Sequence, residues 1–523
     1  MKISIGVSIG NNQPFGQSLD AAYKEVLLYA DLNGITKPSN SVNVAYSNFL
    51  KDLEPNGLRA DAETINIYGF GSKEFGTLNL VDPTTFRHEE IGGITYGAGR
   101  GIKSPSNGNA INTKYKNNQY AGAQNNLGFS IFVEESNITG IAERAFGASI
   151  LAASAATRLQ LSPFTTGTSG AKFLNHLNQQ PFDSSNHRGL YTMWPNGGLS
   201  LISKDGAITT TSDTRVTPDL NNDQLLLSSN FSLVNGGISV ETTYKKFVGG
   251  LFRIKNMTVA REEQLRNAWI RFLRAVRPVG NTWFVRPSGG SYGLENGTSY
   301  LNAFNGFADI DPTVLGIWDE VIAVGTFNET FTIPAPFVRY SGLYEGDTAI
   351  INGGGSRARC IYNFNRSYVT IEDFILQNPT SDCLGIYNGS WNVVVNRVIG
   401  SGSGNQAFQN ETNVKVQYND CQGTLCTDDG LSIHGGGIVE ANRCRFNLNG
   451  QGANAIGNGI LVSNDCDFED NSVANIQSDI NSDFTINGGN SINGNVIGNS
   501  SVALKLIGVS RVNSNTSGNV IIS

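Results

Sequence analysis

The chain has 523 residues, of which 39% are hydrophobic and only 15% charged, against roughly 45–50% and about 25% in average globular usage. That length predicts two or three domains. With 27 Phe and 17 Tyr it is too aromatic for a disordered chain, and 61 Gly with about as many Asn exclude long helical bundles and favour turn-dense β structure. A net charge of −7 leaves no basic footprint for phosphate, so nucleic acid is excluded as the expected partner.

No uninterrupted apolar run approaches 18 residues, so no membrane span is predicted. Met1 to Gly10 alternates apolar and small residues like a strand and lacks the apolar centre of a secretion signal. The expectation is a soluble product not exported by the signal-peptide route.

In chain order, Ser18 to Leu32 and a stretch opening at Pro38 to Ser41 read as helices, the second presenting Val42, Tyr46, Phe49, Leu50 and Leu53 on one face. From Thr64 to Met257 short apolar runs are cut by Gly, Asn, Ser and Thr, the spacing of a β-sandwich. The runs are Ile65 to Tyr68, Leu127 to Val133, Gly189 to Met193, Gly198 to Ile202, Leu225 to Leu227, Gly237 to Val240 and Leu251 to Met257. Val259 to Val276 is a helix with Glu262 and Glu263 in its first turn and Arg271 and Arg274 towards its end, complementing the helix dipole. Its apolar stripe is Leu265, Trp269, Phe272 and Val276, Pro278 stops it, and a domain boundary falls near 277. His88, His176 and His187 are scattered among loops and read as surface or capping residues.

The helical lead-in, the segment Phe75-Gly76-Thr77-Leu78-Asn79-Leu80-Val81-Asp82-Pro83, the strands and the closing helix together resemble the concanavalin-like (laminin-G-like) jelly-roll modules of phage fibre proteins, over about 35–276.

Beyond 280 the sequence repeats with a period near 23. One column runs Phe374, Val398, Cys421, Cys444, Cys466, Gly489, Val509. Two more run in step five and three residues earlier, beginning at Val369 and Ile371. The two-residue offset is the strand period and the three-residue offset marks a bend, so each block stacks on the last as a parallel β-helix, with further coils over Val321 to Cys360. Cys421, Cys444 and Cys466 then form an interior thiol ladder, since stacked Cβ atoms lie slightly beyond disulfide reach. None of the six cysteines forms Cys-x-x-Cys, so no zinc site is expected. Asn396, Asn442, Asn464 and Asn487 supply bends and side-chain amide ladders.

Trp283 to Gly290, Asp319 to Ile333 and Ile350 to Gly355 resemble the right-handed β-helix proteins of the pectate-lyase superfold, over about 280–523. That fold is shared by polysaccharide lyases, glycosidases, phage tailspikes and non-catalytic adhesins, so it does not fix function. The expected fold class is mainly β: a small docking region with two helices (1–60), a jelly-roll β-sandwich (61–277) and a right-handed parallel β-helix (278–523).

Carbohydrate chemistry calls for paired carboxylates, or a carboxylate with a base. The candidate set is Glu411, His434, Asp428 and Asp429: stepping back one 23-residue coil from His434 lands on Glu411, and a further coil brings Asn388, Tyr387 and Trp391 nearby. Tyr387, Trp391 and Trp194 are the candidate sugar-contacting aromatics. The competing reading is that Asp428-Asp429-Gly430 is turn chemistry, His434 a surface imidazole and Trp194 a core residue. Polygalacturonase-like enzymes place their paired Asp and their His-Gly on successive coils, whereas Asp428, Asp429 and His434-Gly435 share one here. No clear set of calcium carboxylates is visible, and no cofactor is expected.

The resemblances imply a tailed-phage virion appendage of tailspike or fibre type. It would attach through residues 1–60 to other virion proteins, form a homotrimer and bind a host cell-surface polysaccharide. The alternatives are a β-helix depolymerase, lyase or glycosidase, and an architectural head fibre or capsid or tail decoration.

Overall fold

A computed structural model describes residues 19–98 and 280–478 throughout and, elsewhere, the strands, the helix and short flanks. The chain is mainly β, and its C-terminal half is a parallel β-solenoid. Three sheets run along the solenoid: a first of twelve strands beginning at Thr282–Arg286 and Phe304–Asn305, a second of ten and a third of nine. Each of about nine coils contributes one strand to each sheet, and the extra strands include Phe304–Asn305 in the first and Leu343–Tyr344, paired antiparallel, in the second. At about 4.8 Å per coil, nine coils extend roughly 40 Å.

The columns expected from the repeat coincide with the strand register: Val393, Val416, Val439, Leu461 and Phe484 are paired neighbours, as are Val395, Tyr418, Ala441, Ser463 and Ile486. All are buried, and they form the solenoid core with Cys421, Cys444 and Cys466. The six cysteines are free thiols. Three of them stack through weak contacts, Cys421 N–H donating to Cys444 Sγ at 3.4 Å and Cys444 N–H to Cys466 Sγ at 3.2 Å. Gly489 and Val509 lie outside the described residues.

The three-residue offset is indeed a corner. Asp373, Arg397, Asp420, Arg443 and Asp465, each preceding a residue of the Phe374–Cys466 column, all have φ between +52° and +61°. A left-handed non-glycine residue costs about 1–2 kcal/mol. Here the strain is offset by two ladders. Arg397 forks Asp373 at 2.7 and 2.8 Å, and Arg443 forks Asp420 at 2.8 Å through both bonds. One residue earlier, Asn487, Asn464, Asn442, Asn419 and Asn396 pass amide hydrogen bonds down the stack at 2.8–3.1 Å, and Asn396 ends the chain on Glu372 Oε2 at 3.2 Å.

The N-terminal half is built of antiparallel sheets with helices. An eight-stranded sheet contains Ala62–Ile67, Leu127–Val133, Gly189–Asn196, Leu199–Lys204 and Val248–Lys255, and a seven-stranded sheet contains Ala110–Asn112 and Leu225–Leu226. Three helices, α1 (Ala21–Leu32), α2 (Asn40–Asp52) and α3 (Val259–Val276), join the larger sheet in one core. Asp20 caps α1, accepting from Tyr23 N–H at 3.0 Å, and Thr258 caps α3, accepting from Arg261 N–H at 3.3 Å. Trp269 of α3 is the hub: Phe132, Phe252 and Phe272 each lie 5.3 Å from its ring and Phe49 6.0 Å.

One sequence expectation changes here, that of His88 as a surface or capping residue. Residues 23–53 contribute to the same core as the sheet and α3. Glu262 lies in the first turn of α3, as expected, where it is buried and accepts from Ser203 Oγ at 2.9 Å. His88 is buried, sharing a 2.7 Å hydrogen bond with Tyr68 Oη, and burial with the Arg253 charge holds its imidazole down at about 3. His176 and His187 lie outside the described residues.

The halves are joined along a flank. Phe132 packs edge-on to Phe337 at 6.1 Å, Arg188 Nη2 donates to Leu315 O at 2.8 Å, and Arg266 Nη1 donates to Tyr368 Oη at 2.9 Å. Lys415 reaches Glu263 at 3.6 Å.

Candidate functional site

Of the predicted site residues, Tyr387, Glu411, Asp429 and His434 lie on the third solenoid sheet, with Asp428 immediately before it. The central strands of this sheet are Arg359–Phe364, Asp382–Tyr387, Phe408–Glu411, Asp429–His434 and Gln451–Ile456. Inward positions Leu384, Phe408, Leu431 and Ala453 fill the core. The intervening positions turn outward: Tyr362, Gly385, Gln409, Ser432 and Asn454 in one row, and beside it Phe364 paired with Tyr387, and Glu411 with His434 and Ile456.

Glu411 and His434 are register partners, as expected. Ile386 pairs with Asn410, so the residue one coil before Glu411 is Tyr387 rather than Asn388. Gln409 Nε2 donates to Glu411 Oε1 at 2.7 Å, and Ser432 Oγ and His434 Nε2 share a bond of 2.9 Å. Asp429 begins the strand that His434 ends. Its carboxyl lies beside the Ser432 hydroxyl, which in turn shares the 2.9 Å bond with His434 Nε2, so Ser432 links Asp429 to the imidazole.

Asp429 is 1% exposed. Burial, reinforced by the Asp428 charge, raises its carboxyl to about 7. Gln406 Nε2 donates to Asp428 Oδ2 at 3.3 Å.

The residues missed from sequence lie two coils earlier. Tyr387 lies back along its own strand, and its Oη donates to Asp382 Oδ2 at 2.9 Å. Gly385 permits this: a Cβ there would meet Tyr387 Cε2 at 2.3 Å. Arg359 Nε bonds the same carboxylate oxygen at 2.9 Å and its guanidinium lies over the rings of Tyr387 (4.7 Å) and Tyr362 (5.2 Å). Burial, and then the Asp382 charge, push the Tyr387 phenol well above its ordinary value. Tyr362 also neighbours Phe364 at 5.7 Å, so an aromatic platform adjoins the Glu411–His434 pair. The signal available in the sequence was a glycine two residues before a tyrosine in a strand that is otherwise apolar.

Buried polar atoms without partners are rare and mark functional sites or bound water. Gln406 Oε1, Gln409 Oε1, Asp429 Oδ1, Gln451 Oε1 and Asn454 Oδ1 all lack one. Trp391 sits instead at the corner facing the N-terminal half, where its indole approaches Gly206. Trp194 is buried in the sheet–helix core, 1% exposed, and lines no surface. No group of His, Cys, Asp and Glu suited to a metal occurs among the described residues.

No protein-family model and no curated protein matches the chain. Among solved structures, Trypanosoma rangeli sialidase aligns with TM-score 0.32 and 10% identity over 45% of this chain and 39% of that one. Domain 4 of AbnA, an extracellular arabinanase from Geobacillus stearothermophilus in complex with arabinotriose, aligns with TM-score 0.26 and 13% identity over 40% of this chain and 98% of that one. The A-module of the Azotobacter vinelandii mannuronan C-5 epimerase AlgE4 aligns with TM-score 0.25 and 10% identity over 47% and 91%. The chain spans about two fifths of the length of the sialidase chains it matches.

Proposed function

We propose that the chain is a glycan-binding surface protein, a virion appendage of tailspike or fibre type that recognises a host cell-surface polysaccharide. The observation that carries this reading is the outer face of the third sheet. The half-buried rings of Tyr362 and Phe364 adjoin the half-buried Glu411 and His434, whose carboxylate and imidazole are held from beneath by the buried Gln409 and Ser432, with the buried Tyr387 ring packed between. Flat rings take the apolar faces of sugars, and fixed polar groups read their hydroxyls. The jelly-roll assignment of 61–277, particle attachment through residues 1–60 and a homotrimeric state belong to the same proposal.

A glycan array tests it. The expected result is retention of a restricted set of surface polysaccharides, reduced at least tenfold by replacing Tyr362 and His434 together with Ala. An array with no retained glycan, or one unchanged by the double variant, overturns it, and light scattering that finds a stable monomer removes the trimer.

The Glu411–His434 pairing favours one second reading, a β-helix polysaccharide depolymerase in which these two side chains serve as acid and base. Release of reducing ends or unsaturated uronate from capsular polysaccharide, abolished by E411Q with H434A, would establish it.

A further inference from the structure

A cleft of about 620 Å³ opens between α3 and the first solenoid sheet, within the roughly 300–1,000 Å³ typical of ligand sites. It is separate from the third-sheet face. Arg271, Arg274 and Arg277 line one side and Arg339 the other, and no carboxylate lines it among the described residues. In a chain of net charge −7, this is a local concentration of positive charge between low-dielectric walls, the arrangement that focuses field on an anion.

Three of the guanidiniums are held by carboxylates outside the lining. Arg271 Nε bonds Asp52 at 2.8 Å, Arg277 Nη1 bonds Glu134 at 2.8 Å, and Arg339 pairs with Glu320 at 2.8 Å and with Glu372. Each contact engages only part of a five-donor fork; Arg277 Nη2 has no partner. Arg274 is exposed and has no carboxylate among the described residues; its guanidinium lies 4.8 Å from the centre of the Trp318 ring. Stacking of this kind orients a guanidinium without neutralising it.

Both walls repeat. Arg271 and Arg274 lie one three-residue step apart, about 4.5 Å of rise along α3, and Arg277 follows as its C-cap, just off the helix. Arg339, Thr370 and Val394 occupy one register column on successive coils, about 4.8 Å apart. A single anion would use one such step, whereas a chain carrying an anion on every unit uses them all.

We propose that this cleft binds a linear acidic saccharide, an oligo-uronate, whose carboxylates meet the arginines while Thr370 and Asn392 contact its hydroxyls. Arginine matches carboxylate geometry through paired parallel hydrogen bonds. Nucleic acid is the less suited polyanion, because it requires basic surface along an extended backbone path and this charge is confined to one cleft.

The test is calorimetric titration of the intact protein with trigalacturonate at low salt, in parallel with its trimethyl ester, inorganic sulfate and a thymidine hexanucleotide. The acid is expected to bind, the ester at least tenfold more weakly, and R274Q to lose about tenfold or more, the scale of one charge-assisted hydrogen bond. R271Q, at a second exposed position, is expected to lose affinity in the same direction, so the proposal does not depend on one variant folding. Tyr362→Ala on the third sheet is expected to leave the affinity unchanged, which separates this site from the one proposed above. Absence of trigalacturonate binding, equal affinity for the ester, full affinity in both arginine variants, displacement by equimolar sulfate, hexanucleotide binding as tight as the uronate, or loss of affinity in Tyr362→Ala would each overturn it.

Discussion

Asp429→Asn is expected to stabilise the protein above neutral pH and to leave it unchanged in acid. The carboxyl is 1% exposed, and burial with the Asp428 charge raises it from an ordinary 3.8 to about 7. Because the folded-state value lies above the unfolded one, both states are protonated below about pH 4 and no cost arises. Between about 4 and 7 the unfolded chain ionises first, and stability falls with rising pH; above 7 the cost is constant. A shift of about three units corresponds to roughly 4 kcal/mol as an upper bound, at 1.36 kcal/mol per unit. An uncharged isostere removes the cost. Hydrogen exchange of amides 429–434 reads the effect locally: D429N should protect them at least tenfold more than the parent at pH 8 and equally at pH 4. A ratio that is the same at both pH values would refute the reasoning and place the Asp429 carboxylate in a solvated or cation-paired setting.

Gly385→Ala should cost about 1–3 kcal/mol through overpacking and weaken glycan retention, because the new Cβ meets Tyr387 2.3 Å away and lifts it from Asp382. An unchanged denaturation midpoint would show that the ring relocates freely. Asn442→Ala removes its ladder bonds to Asn419 and from Asn464, and a loss of about 1–2 kcal/mol is expected in urea titration. The six thiols should be silent to a thiol reagent in the native protein and all titrate in guanidinium, because every one is buried in the solenoid core. Burial pushes Cys360 up to about 11 and the Cys421 hydrogen bond holds Cys444 higher still, whereas Cys426, drawn down to about 7 by its hydrogen bond with Cys383, is shielded by burial alone; rapid native labelling would contradict the interior placement.

The solenoid was legible because its information is one-dimensional. A constant offset between blocks fixes the register, and register fixes which side chains meet, so Glu411 beside His434 followed from counting. Counting failed where coil length changes: the step from Tyr387 to Glu411 is 24 residues, which is why Asn388 was expected in its place. It also could not show how far a side chain lies along its strand, so the Tyr387–Asp382–Arg359 cluster went unread although Gly385 stood in plain view. Trp194, a tryptophan in a turn-rich segment, is consistent with either core or surface, and only the three helices covering the sheet decide. The arginine cleft was invisible for a different reason. Its walls are separated by tens of residues, and Arg271 and Arg274 had a sufficient local explanation as helix-end charges, whereas the structure pairs Arg271 with Asp52 and stacks Arg274 on Trp318.

Trp318, Phe337, Tyr368, Trp391 and Lys415 meet the N-terminal half from successive corners of the solenoid. A seam of this kind is a lap joint, not a pivot, and it resists bending across several coils at once. The solenoid therefore projects as a stiff arm whose bearing is set by the N-terminal half. Copies fixed on a common base would present their third-sheet faces at constant spacing and angle, with no entropy spent on alignment at each contact. Weak individual contacts would then add as avidity only on polymers whose repeat matches that spacing, making geometry a determinant of selectivity alongside sugar chemistry.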